Sequence, residues 1–246
     1  MTDNPYTNCL HSNDDIEKIF RSSSIKYNSS YSFEELINRT RELNDLNWDF
    51  EKNKSIAVVG NSGMLMEKEY GELIDSHDIV IRTNHGKIKN FEKNVGQKTD
   101  IRFLSGKGFW YGKSMDAVYS NYDHKFVTNL KNQKVIVKAN PMSAAIQGIS
   151  RHYKTQANIH YLKQSFVDYI ETTYNVPNST LGFSAICYAL CLSSNVSIFG
   201  FGFFQESWDK QHYFEKITPY GRGHKFKAEE NCVMSFEQAD FLRIHR

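Results

Sequence analysis

The chain has 246 residues, of which 40% are hydrophobic and 24% charged, enough for one large soluble core or a core with a short extension. Its formal net charge of +2 is too weak a bias to mark a nucleic-acid or anionic-membrane partner, although a single pocket can still be basic. No run reaches the roughly 18 apolar residues of a membrane span, and residues 1–20 lack the basic and apolar regions of a signal peptide, so the expectation is a soluble intracellular, cytoplasmic protein with no membrane span.

Residues 1–30 are polar and rich in Asn, Ser and Asp, and read as an extension; residues 31–246 then form the functional domain. Ser32-Phe33-Glu34-Glu35 has the pattern of a capping box, and the apolar spacing after it predicts a helix to Leu46. Ser55–Val59 is a short apolar run ending in Gly60-Asn61-Ser62-Gly63, which predicts a buried strand, a tight turn and a helix soon after. Further strands are predicted at 79–81, 101–104, 134–137, 159–162 and 196–199. Helices are predicted at 144–153, 182–192 and 233–244. Strands alternating with helices imply an α/β fold with a mostly parallel central sheet. The stretch 105–133 is aromatic and rich in Gly and Asn, with little periodicity, as in loops that shape a site.

Four cysteines, Cys9, Cys187, Cys191 and Cys232, show no C-x-x-C spacing, and Cys187 and Cys191 fall on one predicted helix as small core residues. The Gly60–Gly63 turn at the carboxyl end of a strand occupies the place where α/β folds bind nucleotides. It is neither a dinucleotide fingerprint nor a P-loop, and by itself it also suits an ordinary strand-to-helix turn. His212 and His224 lie in segments rich in Gly, Lys and Arg; imidazole is suited to proton exchange near neutral pH, and surface histidines are the plain alternative. No third ligand has zinc spacing, and there is no Asp-x-Asp to hold a divalent ion, so no metal and no cofactor are expected.

Four segments in order carry a resemblance. Residues 57–63, 74–78, 80–84 and 95–100 resemble the large motif of the animal-type sialyltransferases, glycosyltransferase family 29. Ser179-Thr180-Leu181-Gly182, with Ala189-Leu190 and Ile198–Phe201, resembles their small motif. His212-Tyr213-Phe214 is similar to the third motif, and His224 with Glu229 to the very small motif, His-x4-Glu. The resemblance implies a single Rossmann-like domain, a variant GT-A glycosyltransferase fold. It also implies inverting, metal-independent transfer of sialic acid from CMP-sialic acid to a hydroxyl of a galactose- or sialic-acid-terminated glycan acceptor.

Carried over by position, Asn61 and Asn84 would bind CMP and Ser62 would lie by the phosphate. Ser179, Thr180 and Gly182 would hold the nucleotide or the donor carboxylate. His212 would assist the departing phosphate, His224 would be the general base, and Glu229 would be structural. The alternatives are a transferase of another CMP-linked nonulosonate or Kdo-type sugar, and an inactive nucleotide-binding homologue. Two departures stand out. No N-terminal anchor of the family's kind is expected in this chain, with a Golgi lumen location as the alternative if the chain is a truncated one. The family's disulfide positions hold Ile56 and Ser193, so four free thiols are expected, as in a reducing compartment.

Overall fold

A computed structural model of the chain describes residues 54–106, 130, 133–138, 158–203, 212–214 and 224–246. The expected helices at 33–46 and 144–153, and Cys9, lie outside the described residues.

Seven strands form one α/β sheet: β1 (Ile56–Val59), β2 (Ile79–Thr83), β3 (Ile101–Ser105), β4 (Lys134–Lys138), β5 (Asn158–Tyr161), β6 (Val196–Phe199) and β7 (Leu242–His245). Their order is β5-β4-β3-β2-β1-β6-β7. The pairs β1–β2, β1–β6, β4–β5 and β6–β7 are all parallel. Two compact units are distinguished, one spanning Phe103–Gln164 and the other Phe50–Arg102 with Ser165–Arg246.

In the second unit, β1 is Ile-Ala-Val-Val with every residue buried. β2 and β6 flank it, with Ile56 opposite Ile79 and Val196, and Val59 opposite Arg82 and Phe199. A strand buried on both faces needs an unbroken apolar run rather than alternation, which is why these segments were legible in the sequence. After β1 the expected helix begins as a short 3-10 turn (Gly63–Glu67) followed by a short α-helix, α1 (Gly71–Asp75), whereas a second short helix, α2 (Glu92–Val95), was not anticipated.

Helix α3 (Gln164–Thr173) buries Phe166, Val167 and Ile170, an i, i+1, i+4 stripe that the sequence reading passed over. Helix α4 (Leu181–Leu192) is apolar on all sides, and Phe183–Ala189 are consecutively buried. Thr180 caps its start, with Oγ1 accepting from Phe183 N at 3.0 Å. Cys187, Cys191 and Cys232 are free thiols, and Cys191 Sγ donates to Cys187 O.

The C-terminal segment corrects one expectation. In place of a helix over 233–244, α5 (Phe226–Gln238) starts earlier and ends earlier. Asp240 turns the chain with φ 58°, and Leu242–His245 pairs parallel with β6 as an edge strand. Phe241, Leu242 and Ile244 extended the helical spacing of Val233 and Phe236, so periodicity alone carried the helix too far.

In the first unit, β4 and β5 pair from Lys134↔Asn158 to Val137↔Tyr161. Lys134 and His160 are buried there among Val135, Ile136, Val137 and Ile159.

Candidate functional site

Strand order reverses at β1: β2 follows on one side and β6 lies on the other. In open α/β sheets such a switch point opens a crevice at the carboxyl ends of the strands, where ligands bind. The large-motif turn and Phe201 leave β1 and β6 at that place.

The turn is packed backbone on backbone. Gly60 N donates to Phe199 O at 2.8 Å, and Ser62 N donates to Gly200 O at 3.1 Å. A Cβ on Gly60 would lie 2.4 Å from Gly200 O, so no other residue fits there without moving the backbone. The Phe201 ring lies between two glycines. A Cβ on Gly60 would meet it at 3.3 Å and one on Gly182 at 2.9 Å. Thus the first turn of α4 is brought against the end of β1.

Asn61 is buried. Its Nδ2 donates to Thr83 O at 3.2 Å, at the end of β2, and its backbone O accepts from Tyr213 N at 3.1 Å. Its Oδ1 is buried with no hydrogen-bond partner among the described residues. A buried acceptor left open is costly, on the order of 1–3 kcal/mol, and marks a place where a ligand donor fits. Ser62 Oγ accepts from Met64 N at 3.2 Å and caps the 3-10 turn. Asn84 follows β2 in the left-handed region, φ 49°. Arg102 Nη1 donates to the carbonyls of Asn84 and His85, each at 2.8 Å, and holds that turn.

Tyr213 joins the third motif to this turn. Its hydroxyl donates to Lys87 O at 2.5 Å, and its ring meets Phe91 edge-on at 5.0 Å. Burial pushes the phenol up to about 12, against the pull of the Arg82 and Arg102 guanidiniums. Its neighbour His212 is half-buried and stacks on Phe214 at 5.5 Å.

The small and very small motifs meet at the entry to α4. The Glu229 carboxylate, on α5 and 2% exposed, accepts from Thr180 N at 2.6 Å and from Thr180 Oγ1 at 2.7 Å. Glu171, on α3, takes the preceding residue in the same way: its Oε1 accepts from Ser179 N and from Ser179 Oγ, each at 2.8 Å. His224 Nδ1 lies 2.6 Å from Asn178 O. A carbonyl only accepts, so Nδ1 carries a proton, and whenever the ring is neutral its lone pair is on Nε2.

The structure therefore ties the expected site residues into one unit through two connected groups. Asn61, Ser62, Asn84 and His212 gather around the ends of β1 and β2. Ser179, Thr180, Gly182 and His224 gather at the start of α4, and Phe201 packs between Gly60 and Gly182. The hydroxyls of Ser179 and Thr180 are engaged by carboxylates. Sequence reasoning missed Arg82, Arg102 and Glu171. Arg82 left a trace, as a charge closing the apolar run Ile79-Val80-Ile81. Glu171 left none, because it sits on an ordinary amphipathic helix. Among the described residues, no three His, Cys, Asp or Glu side chains cluster as metal ligands, and no helix is long and apolar enough to cross a membrane.

Residues 8–241 match the sequence model of glycosyltransferase family 29 (sialyltransferase). A β-1,6-galactosyltransferase of Arabidopsis thaliana is 27% identical over 77% of this chain and 52% of its own. A chicken (Gallus gallus) CMP-N-acetylneuraminate-β-galactosamide-α-2,3-sialyltransferase is 29% identical over 67% of this chain and 48% of its own. The chain thus spans about half the length of these curated relatives. A crystal structure of a mammalian sialyltransferase in complex with Gal-β-1-3GalNAc-ortho-nitrophenol superposes with a TM-score of 0.64 at 21% identity, covering 98% of this chain and 88% of the other; it shares the fold.

Proposed function

Because the chain belongs to glycosyltransferase family 29, we propose that it transfers a sialic acid from CMP-sialic acid to a hydroxyl of a galactose- or sialic-acid-terminated glycan, with inversion and without a metal ion. One observation carries the reading: the four motif segments, far apart in sequence, are joined by direct contacts around the carboxyl ends of β1 and β6.

Asn61 offers a buried open acceptor, suited to a cytosine amino group or a ribose hydroxyl. The donor carbon is tertiary and carries a carboxylate, so its transition state has strong oxocarbenium character. The bond from that carbon to the CMP phosphate oxygen breaks, and CMP leaves with the electron pair. His212 is the group assigned to the growing phosphate charge. The acceptor oxygen bonds to the same carbon from the opposite face, and its proton passes to Nε2 of His224. Single displacement inverts the centre and needs no covalent intermediate.

The decisive experiment follows CMP release from CMP-sialic acid with and without a glycan acceptor. His224→Ala should lower transfer by about 10²–10⁴ while CMP still raises the melting temperature by mass action. Activity should survive EDTA. Retained transfer in His224→Ala would remove the base assignment, and loss restored only by manganese or magnesium would remove the metal-free mechanism. The Arabidopsis relative favours a second reading, transfer of galactose. A parallel assay with UDP-galactose separates the two, since turnover there and none with CMP-sialic acid would replace the donor.

A further inference from the structure

Glu171 lies outside all four motifs, yet it holds the turn on which His224 rests. Its Oε1 accepts from Ser179 N at 2.8 Å. That N–H belongs to the peptide unit whose carbonyl is Asn178 O, the group 2.6 Å from His224 Nδ1. One planar peptide therefore has a carboxylate on its N–H and an imidazole on its C=O.

We propose that Glu171 is a positioning residue that acts on His224 through the 178–179 peptide. A charged acceptor on an amide N–H forms a stronger bond than a neutral one. It also draws electron density toward the carbonyl oxygen, and hydrogen bonds in series strengthen one another by about 10–30% each. The Asn178 carbonyl thus becomes a better acceptor for Nδ1–H. The ring is held in the tautomer that leaves its lone pair on Nε2, and its plane is fixed against one carbonyl.

The surroundings make this peptide a rigid transmitter. Asn178 turns the chain with φ 56°, a conformation that Asn tolerates. The Ser179 hydroxyl gives Glu171 a second bond at 2.8 Å, so the carboxylate grips the residue at two points. The next residue, Thr180, is gripped at two points by Glu229 from α5. With both neighbours chelated from different helices, the 178–179 peptide is not free to swing its carbonyl away from His224. The two carboxylates differ in what they reach. Glu229 fixes the cap of α4, whereas only Glu171 is bonded to the peptide that touches the histidine.

This inference rests on His224 being the base, and the test separates the two. The full chain is prepared with nitrogen-labelled histidine, and the His224 ring is observed at neutral pH. The expected wild-type spectrum is that of the Nδ1–H tautomer. Glu171→Gln keeps a carbonyl acceptor but removes the charge. It should move the Nδ1–H proton resonance upfield and lower kcat by about tenfold, the scale of lost second-layer support around an imidazole. The CMP-induced rise in melting temperature should not change. Glu171→Ala, where it folds, should mix the tautomers and lower kcat further. A His224 spectrum that does not change in Glu171→Gln overturns the proposal, as does a shifted spectrum with wild-type kcat in a chain whose His224→Ala variant is inactive. Retained transfer in His224→Ala would instead sink the base assignment, while the spectrum still reports whether Glu171 reaches the ring.

Discussion

Arg82 and His160 are both buried basic side chains on parallel strands, one in each unit, each with one buried nitrogen (Nη1 and Nε2) that has no hydrogen-bond partner among the described residues, and they differ in the charge they carry. Arg82 is 0% exposed on β2, where Nε donates to Lys98 O at 3.0 Å and to Thr99 Oγ1 at 2.9 Å, and Nη2 to Val95 O at 2.7 Å. Burial lowers its pKa only to about 10, opposed by Tyr213, Asp75 and Asp100, so it stays charged at neutral pH. His160 on β5 pairs in register with Ile136, and its buried Nε2 has no hydrogen-bond partner among the described residues. Burial, and then the nearby Lys134, push the ring down to about 3, so it stays neutral. A buried group keeps its charge where fixed acceptors face it and gives it up where they do not. The unit that holds the motif network supplies such acceptors.

Removing Arg82 should therefore produce the largest effect. Arg82→Met keeps much of the volume but leaves the carbonyls of Val95 and Lys98 buried without this donor. At about 1–3 kcal/mol for each abandoned group, a loss of about 3–5 kcal/mol is expected. Urea unfolding measures it, through a lower midpoint at unchanged slope. A loss under 1 kcal/mol would mean that these acceptors are satisfied without the guanidinium, and the contrast with His160 would collapse.

The histidine side of the comparison gives a pH-dependent effect of intermediate size. The His160 pKa is about 3 in the fold and about 6.5 in an unfolded chain. The unfolded state thus binds the proton more readily. Stability from the neutral ring is complete above pH 6.5 and is lost as pH falls toward 3. At pH 5 the loss is about 2 kcal/mol, at 1.36 kcal/mol per unit. His160→Leu should lose about that much less than the wild type between pH 7.5 and pH 5 in matched unfolding curves. Parallel curves for the two proteins would show that the ring is not neutral by burial.

The same contrast explains what could be read from the sequence. Strands β1, β2 and β6 and helix α4 are apolar runs buried on all sides, and composition alone marks such segments. The candidate site residues were named from four spaced motifs, which cover the turn after β1, the start of α4 and both histidines. Helix α3 and strand β7 were missed for another reason. Each buries only a narrow face, and β7 borrowed the periodicity of the helix before it. Glu171 was illegible because its meaning lies in a turn eight residues on, and no local pattern shows that its carboxylate faces that turn. Arg82 was visible as an oddity, but its acceptors at 95, 98 and 99 are supplied by tertiary structure.

The smallest effect concerns Ile56 and Ser193, the two positions where the family resemblance implies a disulfide. Ile56 is 1% exposed, in the middle of the sheet, and takes up the apolar packing. Ser193 closes α4, and its hydroxyl donates to Lys54 O at 2.6 Å and accepts from Asn195 N at 2.9 Å. Beside it Ile56 N donates to Asn195 O at 2.9 Å. The end of α4 is thus tied to the start of β1 by neutral hydrogen bonds. A neutral bond contributes about 0.5–1.5 kcal/mol net, well below the three bonds of a buried guanidinium. Ser193→Ala should therefore lower stability by about 1 kcal/mol, a shift of about 2–4 °C in melting temperature for a chain of this size. The wild type should show no change in melting temperature with dithiothreitol, since Cys187, Cys191 and Cys232 are free thiols. If Ser193→Ala melted like the wild type, burial of Ile56 alone would hold this junction, and the hydroxyl would be a passenger.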